Sequence, residues 1–114
     1  MKWFLDRFKY AWSGLCYAVQ DKSILIHFCF ACIVIICGSL FHVTSYEWMW
    51  LILFISLVIC GEIFNTCIER IVDYISVEKN EQAKQIKDMA AGAEFILCIG
   101  AAVVGLMIFL SKIF

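Results

Sequence analysis

The sequence predicts an all-α membrane protein, with one amphipathic helix at the membrane surface followed by three transmembrane helices. Three observations carry that reading. The 114 residues are 64% hydrophobic and 17% charged, with a mean hydropathy of +0.91; soluble domains are nearer half apolar and a quarter charged. Proline is absent and there are six glycines, which favours long unbroken helices over turn-rich β-structure. Three apolar runs each have about the twenty-residue length that crosses a bilayer core as a helix.

The length is that of one domain, so residues 1–114 are read as a single membrane-embedded unit. Residues 1–22 form the surface helix. Within "KWFLDRFKYAWSGLCYAVQ", Trp3, Phe4, Phe8, Ala11, Trp12, Leu15 and Val19 recur at steps of three and four. That is the stripe of a helix lying in the interface, with tryptophans suited to headgroup depth. Asp6, Arg7 and Lys9 interrupt any signal-peptide core. The spans are residues 24–41 ("ILIHFCFACIVIICGSLF"), 48–68 ("WMWLILFISLVICGEIFNTCI") and 90–110 ("AAGAEFILCIGAAVVGLMIFL"). The third carries a small-residue face, including Ala101 and Gly105, of the kind that lets helices approach closely.

Basic residues set the expected orientation. Lys2, Arg7, Lys9 and Lys22 precede the first span, and Arg70, Lys79, Lys84 and Lys87 lie between the second and third. The link "HVTSYE" has none and the C-terminal end has Lys112. The N-terminus and the loop from Glu69 to Asp88 are therefore expected on the cytoplasmic side of the cell membrane, with the C-terminus outside. A net charge of −1 without a basic aromatic stripe offers nothing to nucleic acid. The seven cysteines lie mostly in apolar surroundings. "CFAC" has no second pair at zinc-site spacing, so the cysteines are read as small packing residues rather than ligands.

One stretch breaks the apolar pattern. Between Ile24 and Cys60 the only charged residue is Glu47; then "GEIFNTCIERIVD" brings Glu62, Asn65, Glu69 and Asp73. On a helix these four fall within about 80° of one another. A second polar stripe, Lys84, Lys87, Asp88 and Ala91, opens the third span, and Glu94 returns to the Lys87 direction. Both stripes flank the same loop and so the same membrane surface. Asp73, Glu78, Lys79 and Glu81 are what a solvated helix end carries. Glu62 is different: it lies about 10 Å deeper than Glu69 along the helix, and an ionised acid at such depth costs about 2.5–3.5 kcal/mol or more. Intramembrane acids of this kind face a protein interior and serve a function.

Acids, an amide and a lysine at one membrane surface suit phosphoryl transfer to a lipid. Carboxylates hold Mg²⁺ through oxygen while nucleotide phosphates complete its shell. A lysine neutralises charge on the transferring group, and a submerged carboxylate can take the proton of a lipid hydroxyl. No Walker sequence, glycine-rich loop or HRD-type stretch occurs, which excludes the ordinary kinase folds.

"EIFNTCIERIVD" followed by "AKQIKDMAAGA" resembles the small prokaryotic diacylglycerol kinase family, which includes undecaprenol kinases. The resemblance covers nearly the whole chain, from the "AWSGL" of the surface helix through the E-x-x-N-x-x-x-E-x-x-x-D and A-K-x-x-K-D motifs. "SYEW" and "EIFNTCIE" are more similar to the undecaprenol kinases than to the enterobacterial enzymes. The resemblance implies a homotrimeric helical bundle with active sites shared between protomers, using Mg²⁺ and ATP to phosphorylate a lipid alcohol, diacylglycerol or undecaprenol. It implies Glu62 as catalytic base and Glu69 as a metal ligand. Asn65, Asp73, Lys87 and Asp88 are implied in the nucleotide site, with Tyr10 near the base. The family's second metal ligand is a glutamate before the first span; here the stretch is "QDKSILIH", and Asp21 is the match, shorter by one methylene. Glu94 stands where the family is usually apolar. It is expected to bond a polar group on another helix, such as Thr66 or Asn65, or else to line the lipid slot.

Two other classes compete with the kinase. A small transporter or proton-conducting subunit could use Glu62 and Glu94 as a relay. A noncatalytic assembly factor could use the charges to set helix register. The relay does not account for the acids clustering at one surface with Lys87 and Asp88, and ATP-dependent phosphorylation of extracted lipid separates the kinase from both.

Overall fold

The computed structural model describes residues 1–76, 78 and 80–114; Lys79 of the basic loop lies outside the described residues. Every regular element among them is helical: α1 (Lys2–Ala18), α2 (Lys22–Leu40), α3 (Ser45–Ile75) and α4 (Glu81–Ile113). The last three are long and apolar enough to cross a membrane. At 1.5 Å per residue, α3 and α4 are about 46–50 Å long, close to the 52 Å long dimension of the molecule. They extend past the apolar runs, so most of the polar stretch from Glu69 to Asp88 is helix rather than loop, and the connection is confined to residues 76–80. The reason is local. Nothing in "ERIVDYI" or "EQAKQIK" breaks a helix, and Asn80 supplies the cap, its Oδ1 accepting from the Ala83 amide at 2.7 Å.

The other ends are equally well marked. Asp21 is the N-cap of α2, its Oδ1 accepting from the amides of Ser23 at 3.0 Å and Ile24 at 3.4 Å. Thr44 and Glu47 form a reciprocal capping box at the start of α3, with bonds of 3.1 and 2.9 Å. Between α2 and α3, His42 takes the left-handed conformation (φ 53°), and the Val43 amide bonds back to the Gly38 carbonyl at 3.2 Å. This is the six-to-one closure that ends many helices. The tight turn sets α3 antiparallel to α2.

Packing runs chiefly between α3 and α4 and between α2 and α3. At the hairpin end, Val43, Leu51 and Ile108 are buried against Val34, Trp48, Val104 and Phe109. An ion pair of 2.7 Å between Lys112 and Glu47 ties the end of α4 to the start of α3. α1 buries no residue. Its Trp3, Phe4, Phe8 and Trp12 are all more than half exposed, the face an interfacial helix offers to lipid. In the most apolar windows of α2, α3 and α4 only 11%, 22% and 11% of residues are buried, so most of the apolar surface faces outward, as a bilayer requires.

Gly38 makes the α2–α3 contact possible. A Cβ there would stand 2.6 Å from the Trp48 ring, and a rigid indole packed against the buried cluster of Val43, Leu51 and Ile108 has little room to yield. Gly38→Ala should therefore lower stability by about 1–3 kcal/mol through overpacking. Gly92→Ala, where the added methyl meets nothing within 4 Å, should be neutral or stabilising by up to about 1 kcal/mol through helix propensity. Thermal unfolding of the two variants in detergent micelles checks the contrast.

Candidate active site

The polar face of α3 is graded in burial. Glu62, Asn65 and Thr66 are buried, Glu69 is half-buried and Asp73 is exposed. The acids thus lead from the connection at residues 76–80 down into the apolar part of the helix.

Glu62 is 6% exposed and draws its partners from α2. The Ser23 hydroxyl donates to Glu62 Oε1 at 2.7 Å, and His27 Nε2 lies 4.0 Å from Glu62 Oε2. Ser23 and His27 are four residues apart and so present one face of α2 to α3. The same His27 Nε2 lies 3.4 Å from Glu94 Oε1 of α4. Three helices therefore converge on one polar cluster.

Glu94 does meet a polar group on another helix, as expected, but the residues named for it are corrected. Its neighbours are His27 of α2 and, within α4, Cys98, whose thiol donates to Oε1 at 3.5 Å, rather than Thr66 or Asn65. The cause is the approach of α3 to α4 at Gly61. A Cβ on Gly61 would collide with the Glu94 carboxylate and with Leu97. The missing side chain lets Glu94 pass α3 about one turn below Asn65 and reach α2.

One turn further up, Asn65 Nδ2 donates to Glu69 Oε1 at 3.4 Å, while Asn65 Oδ1 is buried with no hydrogen-bond partner. Asp21 caps α2 with one oxygen and pairs with Arg70 at 3.5 Å through the other. Arg70 follows Glu69 in the chain, so this pair holds the start of α2 at the Glu69 level of α3. Above it, Lys87 pairs with Asp73 at 2.7 Å and Lys84 with Asp88 at 2.7 Å. Asp73, Lys84, Lys87 and Asp88 line an open cleft of about 720 Å³ between the ends of α3 and α4. Tyr10 is 69% exposed on α1, and its side chain makes no hydrogen bond among the described residues. The structure thus groups Asp73, Lys87 and Asp88, joins Asn65 to Glu69, brings Asp21 beside Arg70, and leaves Tyr10 apart.

Sequence reasoning missed Ser23, His27 and Cys98. Their only sequence signal is spacing: Ser23 and His27 are four apart in an apolar run, and Cys98 follows Glu94 by four. Spacing gives a shared face but not the helix that the face meets.

The sequence profile of the prokaryotic diacylglycerol kinase family matches residues 9–109. The chain belongs to the prokaryotic diacylglycerol kinase family. It is therefore a membrane lipid kinase, a class that uses ATP, and the transporter and assembly-factor readings fall away. Family members similar to it include the undecaprenol kinase of Bacillus subtilis, 35% identical over 111 residues, 96% of this chain and 90% of that one. The diacylglycerol kinase of Synechocystis sp. is 37% identical over 103 residues, 89% of this chain and 59% of that one. The diacylglycerol kinase of Haemophilus influenzae is 34% identical over 103 residues, covering 89% and 87%.

In this family member the Ser23 hydroxyl is the one direct hydrogen-bond donor to Glu62 among the described residues. Ser23→Ala leaves a buried carboxylate oxygen without it and should cost about 1–3 kcal/mol. Ser23→Thr keeps the hydroxyl and should recover most of that. Unfolding of both variants in micelles decides whether the bond contributes.

Proposed function

We propose that this kinase transfers the γ-phosphoryl group of Mg-ATP to the primary hydroxyl of a membrane lipid alcohol at the cytoplasmic surface, with Glu62 as general base. The single observation that carries the reading is the depth relation on α3. A buried carboxylate lies below a half-buried one, and an open cleft with Lys87, Asp73 and Asp88 lies above both. A lipid hydroxyl approaches from the membrane side and a nucleotide from the water side.

The donor chemistry around Glu69 fits a hard cation. The Glu69 carboxylate and the unpartnered carbonyl oxygen of Asn65 are oxygen donors on one helical face, and Asp21 is held at that level by Arg70. Glu69, Asn65 and Asp21 are the residues that would hold Mg²⁺. When bound, Mg²⁺ supplies charge neutralisation to the nucleotide phosphates. Lys87, free to exchange Asp73 for a phosphate oxygen, is a cation suited to the β- and γ-phosphates, while Asp73, Asp88 and Tyr10 are the proposed surroundings of the rest of the nucleotide. Glu62 has one oxygen engaged by Ser23, which leaves Oε2 to accept the hydroxyl proton as the lipid oxygen attacks phosphorus and ADP departs. The nearly end-to-end match with an undecaprenol kinase makes undecaprenol the first acceptor to test and diacylglycerol the second. The small-residue face at Ala101 and Gly105 lines an apolar groove, a surface suited to packing against another copy of the chain; the homotrimer is the state that the family resemblance implies.

The direct test offers both lipids in mixed micelles with labelled ATP and resolves the products by thin-layer chromatography. Transfer of label to either lipid is expected, with undecaprenol preferred; no transfer to any lipid alcohol would sink the reading. Glu62→Gln should lower kcat by about 10²–10⁴-fold with the fold intact. A variant retaining more than about a tenth of the rate is incompatible with base catalysis by Glu62.

Metal roles are separable in the same assay. Glu69→Ala and Asp21→Ala should each raise the Mg²⁺ concentration needed for half-maximal rate, because a lost oxygen ligand weakens a cation held by few protein groups. An unchanged Mg²⁺ dependence in Asp21→Ala would confine Asp21 to its part as the cap of α2.

A further inference from the structure

The polar contacts of Glu94 have no part in phosphoryl transfer as described above. His27 Nδ1 lies 2.9 Å from the Ser23 backbone carbonyl oxygen. A carbonyl only accepts, so Nδ1 carries the ring proton. In the neutral imidazole Nε2 is then a bare lone pair, and it faces Glu94 Oε1 at 3.4 Å. A lone pair set against a carboxylate inside a membrane-spanning bundle is repulsive unless a proton, carried by the ring or by the carboxyl, or a metal ion stands between them.

Three features favour a metal. First, the atoms are spaced as ligands. Cys98 Sγ is 3.5 Å from Glu94 Oε1, and the His27, Glu94 and Cys98 donor atoms all lie within 4.8 Å of one another. Tetrahedral zinc with bonds of about 2.0–2.3 Å separates neighbouring ligand atoms by about 3.3–3.8 Å. The 3.4 and 3.5 Å separations fall in that range. Second, Glu94 Oε2 is buried without a hydrogen-bond partner on a side chain only 8% exposed. A proton shared between His27 Nε2 and Glu94 Oε1, whichever atom carries it, leaves Oε2 unsatisfied, whereas a metal ion can draw on both oxygens. Third, the charges balance. A thiolate and a carboxylate with a neutral imidazole carry −2, so a dication makes the cluster neutral, the form least penalised at this depth.

We propose that His27, Glu94 and Cys98 form a binding site for a borderline transition dication, Zn²⁺ by its nitrogen, oxygen and sulfur donors, inside the bundle beside Glu62. The bond from His27 Nδ1–H to the Ser23 carbonyl is the outer contact that orients metal-bound histidines. Binding exchanges the Cys98 thiol proton for the metal, and that proton passes to solvent. The site is distinct from the all-oxygen set at Glu69, which suits Mg²⁺.

The test uses the full chain in detergent micelles, stripped with a chelator and then dialysed against Zn²⁺ or titrated with Co²⁺. The expected result is one tightly held Zn²⁺ per chain by elemental analysis. Co²⁺ should give tetrahedral d–d bands with a thiolate-to-cobalt charge-transfer band. Cys98→Ser should abolish the charge-transfer band, and Glu94→Gln should weaken binding by about tenfold or more. Cys60→Ser, a control outside the cluster, should change neither. Failure of the wild-type chain to retain stoichiometric Zn²⁺ would overturn the site. So would a thiolate band that survives in Cys98→Ser, or an imidazolium signal from His27 in NMR spectra at saturating Zn²⁺. The wild-type measurements stand even where a variant fails to fold.

Discussion

A carboxylate placed well inside a spanning helix has to find its partners within the protein, because the bilayer offers none. Glu62 imposes that condition on the whole molecule. Its partners come from α2, through the Ser23 hydroxyl at 2.7 Å and the His27 ring at 4.0 Å. For these to arrive, α2 must run beside α3 with Ser23 and His27 turned inward. The cap at Asp21 and the hairpin closure at Gly38, His42 and Val43 fix that arrangement from both ends.

α4 is drawn into the same cluster by a different device. Gly61 removes the side chain that would separate α3 from α4, and Glu94 crosses the gap to reach His27. One glycine and one histidine therefore join three helices at a depth where a polar group left unpaired is costly. Nearer the solvent the pairs are exposed and exchangeable: Lys87 with Asp73 and Lys84 with Asp88. Exposed, solvent-screened pairs contribute little to stability, which leaves these side chains available to a nucleotide. The two levels divide the labour, with rigid positioning below and adaptable charge above.

The apolar core does little to define the fold. Val43, Leu51 and Ile108 form the buried cluster, and it lies at the hairpin end, away from the acids. Most large apolar side chains face outward, where lipid or other protein covers them. Specificity of helix register thus rests on close contacts, such as Gly38 against Trp48 and Gly61 against Glu94, and on polar pairing. That is the regime expected where lipid removes the hydrophobic drive between helices.

The helical class and the spans were legible in the sequence because bilayer thickness fixes run length and backbone satisfaction fixes the helix. The shared face of Glu62, Asn65, Glu69 and Asp73 was legible because helical periodicity is local. Helix ends were less so: α3 and α4 continue past their apolar runs because solvated polar residues sustain a helix as well as apolar ones, and hydropathy is blind to that. That Glu94 needs a polar partner on another helix was legible from its depth, but which residue supplies it was not. Sequence spacing placed it on a face, but whether that face met Asn65, Thr66 or His27 depended on how far α3 and α4 approach at Gly61, a distance set by packing between helices remote in the chain. Tertiary structure alone brought Ser23 and His27 to the acids, whereas Cys98 meets Glu94 within α4 by helical spacing. Ser23 and His27 are unremarkable in their own helix and acquire a role only from what the neighbouring helices present.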